Sequence, residues 1–186
     1  KNWRDYQTKE NILAVDTNNN NGAAKAFEIG ENLIDDYADT KMVSKAIEQL
    51  NQLTKKEQPF FMALGFLKPH LPFNAPKKYW DLYNEKDIEL ASNRFQPENA
   101  PDESMHKYGE LRKYNNIPSD FNIDIPDLTQ KKLIHGYYAC VSYIDEEIGK
   151  LIKHLKKLDI YENSIIVLWG DHGWQLGEHN LWAKHC

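Results

Sequence analysis

The strongest limit on what this chain can fold into is a long apolar stripe that runs straight into a continuous apolar segment. Ile134, Tyr137, Val141, Ile144, Ile148, Leu151, Leu155 and Leu158 recur by threes and fours, which predicts one helix over 128–158. Asp127 with Gln130 has the form of a capping box at its start. A strict 3–4 stripe also suits a coiled coil. The run Ser164-Ile165-Ile166-Val167-Leu168-Trp169-Gly170 follows at once, and β-branched and large apolar residues without alternation describe a strand buried on both faces. A helix delivered onto such a strand reads as one layer packed on a sheet.

The same pairing occurs earlier. Met42, Val43, Ala46, Ile47, Leu50 and Leu53 predict a helix over 39–56 behind Asp39 or Thr40 as N-cap. Gln58-Pro59 ends it, and Phe60-Phe61-Met62-Ala63-Leu64-Gly65-Phe66-Leu67 reads as a second buried strand. That run empties into Lys68-Pro69-His70-Leu71-Pro72-Phe73, where two prolines exclude regular structure. The order helix, strand, loop, helix, strand gives an α/β fold with a mostly parallel sheet. Residues 1–38 are polar and poorly periodic, with a loop at Asn18-Asn19-Asn20-Asn21-Gly22. Residues 74–128 are rich in Pro, Asn, Asp and Tyr and form a long irregular excursion with a short helix at 76–84. The expected organisation is an irregular region 1–38 and an α/β core segment 39–186 interrupted by the loop 74–128.

Composition narrows the partners. The 186 residues are 41% hydrophobic and 27% charged, with a net charge of −5, so nucleic acid is not an expected partner. An anionic ligand needs a local cationic pocket set against that overall field. No apolar run reaches the roughly 20 residues of a membrane span. Cys140 and Cys186 make no disulfide framework. Cys140 falls inside the long helix and reads as a packed thiol. The chain opens on Lys1-Asn2-Trp3 and closes on Lys184-His185-Cys186, and both ends read as cuts through a longer protein.

Chemistry gathers where the two apolar runs stop. Open α/β sheets collect ligands beyond the carboxyl ends of their strands. Asp171 and His172 sit at one such end, where both can ligate a cation; the plainer reading is a turn cap and a surface histidine. Lys68 and His70 sit at the other. If the strands are parallel, both termini open on one cleft. Downstream, Trp174, Gln175, Gly177, Glu178, His179, Trp182 and Lys184 form a mixture too costly for a linker. Lys184 can neutralise an oxyanion as a point charge. Trp174 and Trp182 can stack on sugar rings, although buried packing is the commoner use of tryptophan. Glu178 and His179 are either an acid–base pair or loop braces. Asp35-Asp36 with Asp39 supports a helix start. His179, His185 and Cys186 match no standard zinc spacing. His106, His135 and His154 lack supporting context.

Taken together, three stretches resemble the sulfatase family, in particular its iduronate-type branch. They are Pro59-Phe60-Phe61 through Lys68-Pro69-His70-Leu71-Pro72-Phe73, then Tyr138-Ala139-Cys140-Val141-Ser142-Tyr143-Ile144-Asp145, then Asp171-His172-Gly173-Trp174-Gln175-Leu176-Gly177-Glu178-His179 with Trp182-Ala183-Lys184. The resemblance implies an alkaline-phosphatase-like α/β/α sandwich, incomplete in this chain, and therefore a partial catalytic domain over 1–186. It implies hydrolysis of sulfate esters of a sulfated oligosaccharide or polysaccharide, such as a glycosaminoglycan, by a formylglycine nucleophile. It also implies one divalent cation, usually calcium (Ca2+). In that scheme Asp171 and His172 are metal ligands and His70 and Lys184 are catalytic. Lys68, Trp174 and His179 are substrate contacts. The imidazole of His172 departs from calcium's usual oxygen shell. A periplasmic, secreted or lysosome-like compartment follows from the same resemblance, and the oligomeric state does not.

The chain departs from the family at the nucleophile. Cys140 is followed by Val141-Ser142-Tyr143, and Cys186 ends the chain, so neither begins a Cys-x-Pro-Ser-Arg motif. The family's early paired aspartates are missing as well, and Asp35-Asp36 does not take that place. The 186 residues by themselves are expected to be inactive. Two other readings share Asp-His-Gly after a strand: a phosphomonoester or phosphodiester hydrolase of the same superfamily, and a non-catalytic glycan-binding relative.

Overall fold

The computed structural model describes residues 4–17, 24–31, 34–56 and 58–184. The Asn18–Gly22 run, His185 and Cys186 lie outside them. In chain order the elements are helix α1 (Lys9–Thr17), strand β1 (Phe27–Gly30), helix α2 (Ala38–Leu53), strand β2 (Phe73–Pro76), the single turn α3 (Lys77–Trp80), helix α4 (Asp127–Lys157) and the short strands β3 (Gln175–Leu176) and β4 (Trp182–Ala183). β1 and β2 pair in parallel, Phe27 opposite Phe73 through Gly30 opposite Pro76. β3 and β4 close an antiparallel pair. α4 lies across β2 and α2 packs on α4, which makes an α/β arrangement with helices on a parallel pair.

The core forms where those elements meet. Tyr37, Leu71, Phe73, Ala75, Trp80, Leu133, Cys140, Tyr143 and Trp182 are all buried within it. α4 buries Gln130, Leu133, Ile134, His135, Gly136, Ala139, Cys140, Tyr143 and Glu147. The stripe that predicts the helix meets this face in part: Ile134 is buried and Tyr137 and Ile144 pack on the core, whereas Val141 is exposed. Small residues let α4 approach β2 closely. One oxygen of buried Glu147 has polar partners: the Thr40 hydroxyl and the Lys150 ammonium donate to its Oε1 at 2.9 and 2.6 Å. The Thr40 amide donates to the Tyr143 hydroxyl at 2.9 Å, so a buried polar seam joins α2 to α4. Burial pushes the Cys140 thiol up to about 12, as suits a packed, inert cysteine.

Several expectations need correction. Residues 60–67 and 164–170 carry no regular secondary structure and belong to no ladder among the described residues. Ile165, Val167, Leu168 and Trp169 are exposed, at 97%, 82%, 73% and 85%. A strand buried on both faces needs paired neighbours and covering layers, and these residues supply neither. The parallel pair instead comes from segments read as irregular. β1 lies within 1–38, and β2 begins directly after the cis peptides Lys68–Pro69 and Leu71–Pro72. β1 escapes notice because Glu28 interrupts its apolar pattern, and that carboxylate is buried against donors from the α1 segment, including Asn11 Nδ2 at 2.6 Å.

The caps differ too. Tyr37 precedes α2, and Asp39 turns inward to accept from the amides of Leu67 and Lys68 at 2.9 and 3.0 Å. Pro126 precedes α4, while Asp127 pairs with Arg94 and Gln130 donates to the Ile125 carbonyl. The helix expected at 76–84 is the one turn of α3, and 85–126 contains three short 3-10 turns.

Gly136 tests the α4–β2 contact. A Cβ there would lie 2.8 Å from Phe73 Cβ and 2.9 Å from Trp80 Cη2. Helix propensity favours Gly136→Ala by about 1 kcal/mol, whereas overpacking costs about 1–3 kcal/mol. We expect the clash to prevail, with a lower urea midpoint. An unchanged or higher midpoint would mean that the approach is not tight.

Candidate active site around Trp174

The site is built on the indole of Trp174. Its ring meets Phe73 of β2 edge-on at 5.8 Å between centroids and stacks on Tyr137 of α4 at 6.5 Å. On its other contacts it receives His70 edge-on at 5.8 Å, His172 at 6.4 Å and the Lys184 ammonium at 5.4 Å. Residues far apart in sequence therefore converge on one aromatic plate. Of the sequence-predicted residues, His70, His172, Trp174 and Lys184 are brought together, with Asp171 adjoining His172.

The loop that carries His70 is held rigidly. Its Nδ1–H donates to the Leu71 carbonyl at 2.7 Å, which aims Nε2 at Glu110 Oε1, 3.4 Å away. Burial pulls the imidazole below its ordinary value, against the Leu71 carbonyl and Glu110, which raise it. Lys68 is buried beneath this loop, and its ammonium donates to the Pro72 carbonyl at 2.7 Å. Burial lowers its affinity for a proton as well. The side chain expected as a substrate contact thus has a protein partner and shapes the loop.

Asp171 and His172 follow the exposed segment 164–170. The His172 Nδ1–H donates to the Gly173 carbonyl at 2.8 Å, and its Nε2 lies 3.5 Å from Asp171 Oδ2. An imidazole nitrogen and a carboxylate oxygen this close are both of types that ligate divalent cations. Among the described residues no group of three His, Cys, Asp or Glu side chains completes a metal shell.

His179 stands apart from the plate. Its Nδ1–H donates to the Phe95 carbonyl at 3.2 Å, and its Nε2 accepts from Asn93 at 3.4 Å, which makes it a brace between loops. Glu178 likewise accepts from the Leu176 amide at 2.8 Å, and Trp182 is buried against Gly177. Sequence reasoning missed Glu110, whose second oxygen lies 3.8 Å from Lys184 Nζ. It also missed His106, which bonds Gln175 at 3.2 Å. Both sit in the 74–128 excursion, where nothing local marks them.

Backbone geometry aims Lys184. Ala183 is buried with φ 74°, a left-handed conformation that places the next side chain over Trp174. A β-branched residue resists that conformation and glycine accepts it. Ala183→Val is expected to cost about 1–3 kcal/mol in urea denaturation, with Ala183→Gly close to neutral. Equal losses for both variants would show that lost packing, not backbone conformation, sets the cost.

The fold and this cluster define the class: an alkaline-phosphatase-like α/β segment. A solved structure of a Bacteroides fragilis protein assigned as the sulfatase yidJ matches it with TM-score 0.54 and 27% identity, over 77% of this chain and 27% of that one. The chain belongs to the sulfatase family, whose model, described as Sulfatase, matches residues 1–185. It is 35% identical to the iduronate 2-sulfatase of Mus musculus over 79% of its length, and 37% identical to a sulfatase of Formosa agariphila over 87%. It spans 27% and 30% of those relatives' own lengths.

Proposed function

We propose that this chain is part of a sulfate-ester hydrolase acting on sulfated saccharides, in the manner of the iduronate 2-sulfatases it resembles. The observation that carries the reading is the convergence of His70 and Lys184 on Trp174 beside Asp171 and His172. Cleaving a sulfate ester builds negative charge on the sulfuryl oxygens and on the leaving alkoxide. A site for it needs cations aimed at the first and a proton donor at the second.

Lys184 supplies a fixed positive charge. Its side chain is largely buried and its ammonium is seated over an indole face, which holds it in place without neutralising it. His70 has one nitrogen committed to the Leu71 carbonyl, so the proton it gains or gives is at Nε2. Partial burial favours the neutral imidazole, so a bound anion that draws the proton on would prepare His70 as the acid. Trp174 offers an apolar face on which a sugar ring can lie. Lys68 and His179 act by holding the loops that present these groups.

Asp171 and His172 would hold the divalent cation, with further ligands from residues this chain does not contain. Such a cation polarises sulfate oxygens and the nucleophile. Calcium is the proposed metal, with the imidazole an unusual ligand for it. A formylglycine made from a cysteine is the proposed nucleophile, and buried Cys140 does not provide it. No helix among the described residues is long and apolar enough to cross a membrane. A periplasmic, secreted or lysosome-like site of action is proposed on the family's chemistry.

In the intact protein, His70→Ala and Lys184→Ala are each expected to lower turnover of a 2-sulfated uronate disaccharide at least about a hundredfold, the scale of losing one oxyanion donor. Near-normal turnover would remove that residue from the site. Chelation is expected to abolish activity and added Ca2+ to restore it, with Asp171→Asn needing far more Ca2+. Faster cleavage of a phosphate ester than of the matching sulfate ester would overturn the sulfatase reading.

A further inference from the structure

Glu110 lies in the long excursion between β2 and α4, yet its carboxylate stands between the imidazole of His70 and the ammonium of Lys184. Oε1 is 3.4 Å from His70 Nε2 and Oε2 is 3.8 Å from Lys184 Nζ. The residue is firmly mounted. Its neighbours Leu111 and Arg112 are buried. The Arg112 guanidinium donates to the carbonyls of Pro118, Asp120 and Ile123 at 2.8–2.9 Å and to the Tyr108 hydroxyl at 2.6 Å. It also lies 4.5 Å over the Tyr108 ring. This knot gives an otherwise irregular loop one rigid point, and Glu110 is next to it.

Bringing a histidine and a lysine onto one indole has an electrostatic cost. Among the described residues, the groups that face His70 include the Leu71 carbonyl, Glu110, Lys184 and Lys68, and both lysines oppose its protonation. With Nδ1–H committed to Leu71, neutral His70 points a lone pair at the Glu110 carboxylate, whereas protonated His70 points an N–H at it. Glu110 therefore favours the imidazolium that burial and the lysines disfavour.

We infer that Glu110 is a positioning residue of this site, its carboxylate tying His70 to Lys184 and holding both side chains over Trp174 for an anionic ester. The inference rests on the proposed sulfatase reading for the ester's identity but not for the electrostatic coupling. Removing the negative charge leaves the attraction of Lys184 for an anion intact or stronger. It also lets the imidazole lose its proton and its aim. Binding and turnover should then separate.

The test uses the intact protein with Glu110→Gln and Glu110→Asp. Glu110→Gln is expected to lower kcat for the sulfate ester about tenfold or more, with KM unchanged or lower, at an unchanged Tm. Glu110→Asp, which keeps the charge, is expected to recover part of kcat. Separately, NMR titration of the His70 ring is expected to show its midpoint falling by about one pH unit in Glu110→Gln, the scale of one charge removed at this distance. That measurement needs no turnover, so it decides the coupling even if the ester proves to be a phosphate. An unmoved His70 midpoint overturns the inference, and so does a raised KM with kcat unchanged. A kcat loss that Glu110→Asp does not relieve, accompanied by a lower Tm, reduces Glu110 to a structural brace.

Discussion

The packing of one indole decides how this structure holds together at its chemical end. Trp174 touches β2 through Phe73, α4 through Tyr137, and the loop after the two prolines through His70. Each aromatic pair adds about 0.5–1.5 kcal/mol beyond the area it buries, and a cation over an indole adds about 0.5–2 kcal/mol. Phe73 in turn sits in the strand that pairs with β1 and lies under Gly136 of α4. The geometry of the site is thus inherited from the core. The ring that closes the end of the core also carries the Lys184 ammonium.

The charge of the chain runs against the charge of the site. A net −5 repels an anion at long range, but at the indole the Lys184 ammonium and the imidazoles of His70 and His172 meet, with the carboxylates of Glu110 and Asp171 beside them. Local potential controls binding at contact distance, because salt screens the rest over about 8–10 Å. Lys68 shows the opposite use of the same side-chain type. Buried completely, its ammonium is stabilised by the carbonyl of Pro72 and serves the shape of the loop. Two lysines at the two ends of the motif therefore differ in role because they differ in solvation.

Much of this was readable in the sequence, for physical reasons that also explain the failures. α2 and α4 stand within a residue or two of their predicted starts because helical periodicity is a local signal spread over many residues. His70, His172, Trp174 and Lys184 were legible because they follow apolar runs, and such runs end where α/β folds place ligands. β1 was not legible: four residues with a buried glutamate carry too little pattern, and its partner is 46 residues away in register. The burial of 164–170 was overstated because an apolar run reports what a segment can bury against, while actual burial depends on neighbours elsewhere in a chain. Glu110 was invisible since its role arises only from tertiary placement.

The loops of this molecule are ordered by buried charges bonded to backbone. Asp39 receives the amides of Leu67 and Lys68, Lys68 donates to Pro72, Arg112 donates to three carbonyls, and Glu28 receives donors from the α1 segment. Buried backbone groups outside ladders must find partners somewhere, and an ionised side chain makes stronger bonds than a neutral one. In segments too rich in proline and glycine-like turns to pair as strands, such side chains take over the work of a ladder. This accounts for a sequence that looks irregular from 68 to 126 and still holds His70 and Glu110 in fixed relation. It also means that charged residues in these segments divide by burial. Those whose ionised atoms face backbone, such as Lys68 and Arg112, maintain shape, and those whose ionised atoms face one another, such as Glu110 and Lys184, hold side chains from distant loops in register.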